Sequence, residues 1–174
     1  MTTRITIPAR LSYANIWSPN ENDKYSCSLI IEKDEKVLER IEKAIAAAIE
    51  QGKNKLANSN GKVPPTIKKP LRDADAEGKE DAAYKGKFWL NATSKLKPQI
   101  VDRSVEPILD PDEVYSGCYC NVSVNFYAFS VDGNKGIACG LGNIQKVKDG
   151  ERLGGGKTAK DEFSSIDDIE FSIA

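Results

Sequence analysis

Residues 118–131 alternate strictly, and that alternation constrains the fold more than any other feature of the chain. Cys118, Cys120, Val122, Val124, Phe126 and Ala128 form one phase; Tyr119, Asn121, Ser123, Asn125, Tyr127 and Phe129 form the other. A period of two puts successive side chains on opposite faces, so the stretch predicts a long strand with its first set buried. Asp132-Gly133-Asn134-Lys135-Gly136 supplies turn chemistry, and Ile137, Cys139 and Leu141 resume the alternation, which makes a hairpin.

The same pattern opens the chain. Ile5, Ile7, Ala9, Leu11 and Tyr13 share a phase opposite Arg4, Thr6, Arg10 and Ser12, and residues 19–23 form a turn. A second strand returns through Tyr25, Cys27, Leu29 and Ile31. Val37, Leu38, Ile41, Ala44, Ile45, Ala48 and Ile49 then recur at helical spacing, with Asp34 placed to cap the start and Gly52 to stop the end. Residues 53–85 are polar and rich in turn residues, which predicts a long and largely mobile loop; loops of that length in a domain are usually functional. A strand follows through Phe88, Leu90 and Ala92. About five strands with one helix after the second predict a mainly β chain: an OB-fold-like five-stranded Greek-key barrel with an inserted helix and long loops.

Charge divides the chain unevenly. All 25 basic residues precede Asp161, together with 21 of the 26 acidic ones, so a body of charge +4 carries a tail of charge −5. Gly154-Gly155-Gly156 separates them, and the expected organisation is a domain over 1–156 and a flexible acidic tail over 157–174. Asp167, Asp168, Glu170 and Phe171 give the tail the character of a docking segment for partner proteins. It could equally compete for a basic groove on its own body. No apolar run has signal-peptide or membrane-span length, which predicts a cytoplasmic protein with no membrane role. The chain has no histidine, and Cys27, Cys118, Cys120 and Cys139 each fall on an apolar strand phase, as buried, reduced core residues do. No cofactor, metal or catalytic residue is predicted.

The outer phases of two strands mix aromatics, amides and lysines: Lys87, Trp89, Asn91 and Lys95 on one, Tyr119, Asn121, Asn125 and Tyr127 on the other. Bases of a single strand stack on exposed rings while lysines follow phosphates. Trp89, Tyr119 and Tyr127 are the first stacking candidates, with Trp17 and Tyr13 next; Lys87, Lys95, Lys68, Lys69 and Arg72 are the phosphate candidates. The alternative reading of the rings is a second small core beneath the long loop. Residues 154–158, Gly-Gly-Gly-Lys-Thr, imitate a phosphate-binding loop, but Glu151 stands where its first glycine belongs. Asp73, Asp75, Asp102, Asp110, Asp112 and Glu113 keep open a metal-dependent nuclease or recombination enzyme, although turn and capping roles account for them.

The stretches 9–17, 115–119, 125–129 and above all 133–145 (Gly-Asn-Lys-Gly-Ile-Ala-Cys-Gly-Leu-Gly-Asn-Ile-Gln) resemble a bacteriophage family of single-stranded-DNA-binding proteins long catalogued as a domain of unknown function. The resemblance runs over residues 4–156. It implies an OB-fold, sequence-independent binding of single-stranded DNA, and a role in phage replication or recombination inside the bacterial host. Residues 167–171, Asp-Asp-Ile-Glu-Phe, are similar to the acidic ends of bacterial single-stranded-DNA-binding proteins, which implies recruitment of replication and recombination proteins. Those ends finish in Pro-Phe, whereas here Glu170 replaces the proline and three residues follow Phe171.

Overall fold

The computed structural model describes residues 2–153 together with 163, 164 and 166. In chain order it contains β1 (Arg4–Asn15), β2 (Tyr25–Glu32), α1 (Glu35–Gln51), α2 (Lys53–Leu56), β3 (Arg72–Asp73), β4 (Lys87–Ser94), β5 (Ile100–Val101), β6 (Tyr119–Val131) and β7 (Asn134–Lys148). β1 pairs antiparallel with both β2 and β6, β2 with β4, and β6 with β7. A parallel bridge between Thr93 of β4 and Gly140 of β7 closes the circuit. The circuit β1-β2-β4-β7-β6 is the expected five-stranded OB-type barrel. β3 and β5 are two-residue additions on β4 and β7.

The inner phases fill the barrel: Ile7 and Leu11, Leu29 and Ile31, Leu90, Phe126 and Ile144 are fully buried. Closing so small a barrel needs bends, and register shifts supply them, one between β1 and β2 and two between β6 and β7. In β1 the register with β2 shifts between Ser12 and Asn15, and Tyr13 takes a φ of 46°. Its ring, in phase with the core residues by sequence, is therefore turned out and 66% exposed. In β7 the register shifts opposite Val122 and Val124, moving the inner phase from Leu141 to Ile144. Ser123 Oγ accepts the Asn143 N–H there at 2.7 Å, and a Cβ on Gly142 would lie 2.4 Å from that oxygen.

α1 lays Ile41, Ala44, Ile45 and Ala48 against the barrel, packing mainly on β6. Asp34 caps it, its carboxylate accepting from Lys36 N at 2.9 Å and Val37 N at 3.2 Å. Gly52 ends it without a left-handed turn, its φ being −103°. Glycine is needed there for packing, because a Cβ would stand 2.2 Å from the Ala128 Cβ.

Residues 53–86 correct the expectation of a largely mobile loop. The segment folds down on the barrel and buries Leu56, Ala74 and Tyr84. Lys68 joins the β6–β7 hairpin through its backbone, its N–H donating to Lys135 O (3.2 Å) and its carbonyl accepting from Ile137 N (2.8 Å). Only glycine fits at 136, where a Cβ would lie 2.5 Å from Lys68 O. Further on, Asp73 and Asp75 accept backbone N–H bonds from Asp75, Ala76 and Gly86, and both pair with Lys33, at 3.0 and 3.2 Å. The four cysteines are buried free thiols. Burial pushes Cys27 and Cys139 up to about 12, which keeps them protonated near neutrality. Among the described residues no helix is long and apolar enough to cross a membrane.

Candidate nucleic-acid interface

Antiparallel register sets the outer face of β2 and β4 in rows: Ser26 beside Thr93, Ser28 beside Asn91, Ile30 beside Trp89 and Glu32 beside Lys87. The Ser28 hydroxyl and the Asn91 side-chain oxygen share a hydrogen bond. Across the parallel bridge, Gly140 continues the row of Thr93 onto β7, and Asn125 of β6 lies opposite Gly140. Three hollows, of about 440, 230 and 530 Å3, adjoin along this surface, and Thr93 lines all of them. Tyr13, Ser28 and Asn91 line the first, Lys69, Arg72 and Ala138 the second, and Arg4, Lys97, Asn125 and Tyr127 the third. The floor is open because Ala138, Gly140 and Gly142 occupy the outward positions of β7, and the walls carry rings and cations.

The predicted residues divide over this surface. Tyr127 is 44% exposed, with its Cε1 3.5 Å from where a Cβ on Gly140 would be. Tyr13 and Tyr127 therefore offer rings at opposite ends of the trough. Lys69 and Arg72 line its middle, and Lys68 is exposed beside them on the segment anchored at Gly136. Lys95 is exposed just past the end of β4. Lys87 projects from the start of β4 and pairs with Glu32 at 2.6 Å. Trp17 is half-buried against the core, its indole N–H donating to Val114 O at 2.9 Å, and Lys97 stands 5.8 Å from its ring centre.

Trp89 points outward, as its phase requires, yet only 8% of it is exposed. Residues 71–86, a strap across β2 and β4, cover it. Its indole packs with Ile30, Ala74 and Tyr84, the Tyr84 ring meeting it edge-on at 5.9 Å. The indole N–H donates to Glu77 at 3.1 Å, while Arg72 and Lys79 stand 4.8 and 4.4 Å from its centre. The second small core kept open from the sequence is thus present at this ring. Tyr119 is half-exposed in a separate groove, with Arg10 and Lys148 at 5.5 and 4.9 Å from its ring. Asp167, Asp168, Glu170 and Phe171 lie outside the described residues.

Sequence reasoning missed Arg4, Lys79, Arg10 and Lys148. The available signal was the polar phase of β1, which carries Arg4 and Arg10; Lys79 depends on the path of the strap, which no local pattern encodes. Of the carboxylates weighed for a metal site, Asp73, Asp75, Asp102 and Asp110 serve turns and pairs. Asp102 accepts from Ser104 and Glu106 N–H groups, Asp110 from Asp112, and Lys33 holds Asp73 below the usual carboxylate range. For Asp75 the Gly86 N–H does most of the same work, with Lys33 second. Among the described residues no three His, Cys, Asp or Glu side chains gather as a metal-binding group.

A closed OB-type barrel with an open trough walled by rings and cations defines a class of single-strand-accommodating modules. Within it, the chain belongs to the family described as "Enterobacter phage Enc34, ssDNA-binding protein", whose profile matches residues 2–171. Putative protein p50 of Acyrthosiphon pisum secondary endosymbiont phage 1 is 38% identical over 98 residues, which is 55% of this chain; the match spans about half (52%) of that relative's length. The structure of the single-stranded DNA-binding protein from bacteriophage Enc34 in complex with ssDNA superposes with a TM-score of 0.69 at 24% identity, covering 87% of this chain and 90% of that one. Gp2.5, a single-stranded DNA binding protein encoded by bacteriophage T7, gives 0.56 at 16% identity, with 94% and 98% covered. These likenesses establish the fold.

Proposed function

We propose that this protein binds single-stranded DNA without sequence preference, coating and protecting it during phage replication or recombination in the cytoplasm of the bacterial host. The observation that carries this reading is the trough through Thr93, with a ring at each end and Lys69, Arg72, Lys97 and Arg4 along its walls. Bases stack on Tyr127 and Tyr13, and phosphates meet the cations, with Lys68 and Lys95 at the margins. Family membership supports the same reading, as does the relative solved in complex with ssDNA. Trp89 serves this trough from beneath the strap, by fixing Arg72 and Lys79 at its edge.

In this reading residues 1–156 form the binding domain, and the tail over 157–174 recruits replication and recombination proteins through Asp167, Asp168, Glu170 and Phe171. The protein is no enzyme. Incubation of single-stranded DNA with the protein and Mg2+ tests that point: protection supports coating, and degradation supports a nuclease. The decisive binding experiment titrates a poly-dT oligonucleotide into the wild type and a Tyr13→Ala/Tyr127→Ala double variant. Stacking is worth about 1 to 3 kcal/mol per base, so loss of both rings weakens binding by tenfold or more. Unchanged affinity would remove the trough as the site. Truncation after residue 156 should abolish capture of partner proteins.

A further inference from the structure

The strap separates the trough from a second groove that nothing in the trough reading uses. Its turn at Ala82–Tyr84 is the common wall: Tyr84 faces the trough, and Ala82, Ala83 and Lys85 line the other side. The second groove, of about 730 Å3, runs over the outward positions of β1 and β6, with Ile30 in its floor and Tyr119 and Asn121 along it. Arg10, Lys85 and Lys148 stand at its rim and form no ion pair with a carboxylate among the described residues. Arg10 is held in place by two carbonyls, Gly117 O at 3.0 Å and Glu151 O at 2.7 Å, so its charge is fixed without being neutralised. Each of the groove's two carboxylates already has a partner: Glu32 pairs with Lys87, a fourth cation of the same groove, and Asp34 caps α1.

We infer that this groove is a second single-stranded DNA site, taking the part of the strand that has crossed the strap. The inference rests on the trough as the first site. An apolar floor with a ring beside it accepts bases, and three cations outside any ion pair at the rim accept the phosphates between them. The strand thus contacts the barrel in two segments, and the strap is the partition between them. An OB fold engages roughly 4 to 16 nucleotides; here the lower part of that range fills the trough, and the upper part requires both segments.

The test compares dT oligonucleotides of about 6 and about 20 nucleotides on the full-length protein and its Lys85→Glu/Lys148→Glu variant. The expected result is unchanged affinity for the short strand, a loss of about tenfold or more for the long one, and a salt slope on the long strand lower by about 1.4, at about 0.7 per phosphate contact. Lys85→Gln/Lys148→Gln should show the same pattern with a smaller loss, and an unaltered melting temperature shows that the fold is intact. Equal losses at both lengths would reduce the effect to general charge and overturn the second site. No loss at either length would also overturn it, leaving the groove to an acidic peptide. Failure of the wild type to bind either strand would instead remove the trough reading itself.

Discussion

The guanidinium carbon of Arg72 stands 4.8 Å from the centre of the Trp89 indole, and the two side chains share the carboxylate of Glu77: one oxygen pairs with Arg72 Nη2 at 2.5 Å, the other accepts the indole N–H at 3.1 Å. This closed triangle ties β3, β4 and the strap together. It turns an outward-facing aromatic into a structural anchor and fixes an arginine at the wall of the trough.

Trp89→Ala should therefore behave as a core truncation. Removing a buried Trp costs about 3–5 kcal/mol, visible as a lower urea midpoint, whereas an exposed stacking residue would cost little stability. A near-normal midpoint would mean that the strap does not depend on this ring.

Tyr127→Ala should do the opposite. Its ring is exposed and its removal leaves no cavity, so urea stability stays within about 0.5 kcal/mol of the wild type. Affinity for oligonucleotide falls by about 1–3 kcal/mol. A stability loss comparable to that of Trp89→Ala would contradict the assignment of these two rings to different tasks.

The latch between Lys33 and Asp73 and Asp75 gives the strap a definite pH window. Both aspartates lie below their ordinary value of 3.8, Asp73 chiefly through Lys33 and Asp75 chiefly through the Gly86 N–H. Depressed carboxylates stabilise fully above 3.8 and lose that contribution as pH falls through their folded values. Lys33 is raised above 10.5, chiefly by its hydrogen bond to Asp73, so its contribution is complete below 10.5 and disappears as pH rises past the folded value. Tryptophan emission should hold steady between these limits and shift red, as the strap loosens over Trp89, only beyond them. Lys33→Met should make emission shift at milder acidity; identical profiles would show that the latch does not hold the strap.

Gly52→Ala should destabilise the protein by about 1–3 kcal/mol despite improving helix propensity, because the new methyl meets Ala128 at 2.2 Å. Pairing it with Ala128→Gly should recover most of the loss. Thermal unfolding of the two single variants and the double variant measures the coupling directly.

The barrel was legible because its strands alternate cleanly. The phase of β6, the cap at Asp34 and the β6–β7 turn could be read from neighbouring residues alone. Two things were not local. Tyr13 has the right phase for the core, and only the bulge after Ser12, forced by closure against β2, turns it out. Trp89 has the right phase for solvent, and what covers it is a polar segment whose anchors, Lys33 and the Lys68–Gly136 bridge, come from distant parts of the chain. The trough shows the same limit: Thr93 becomes its centre only once β4 and β7 meet, and nothing near Thr93 in sequence marks it.

That meeting has a mechanical consequence. β4 and β7 are joined by the single bridge between Thr93 and Gly140, whereas the other adjacent barrel strands share ladders of four or more pairs. The barrel therefore has a seam, and the seam runs beneath the trough. A polymer lying across Thr93 would act as a suture, holding shut the one joint where the cylinder has least backbone bonding to resist opening.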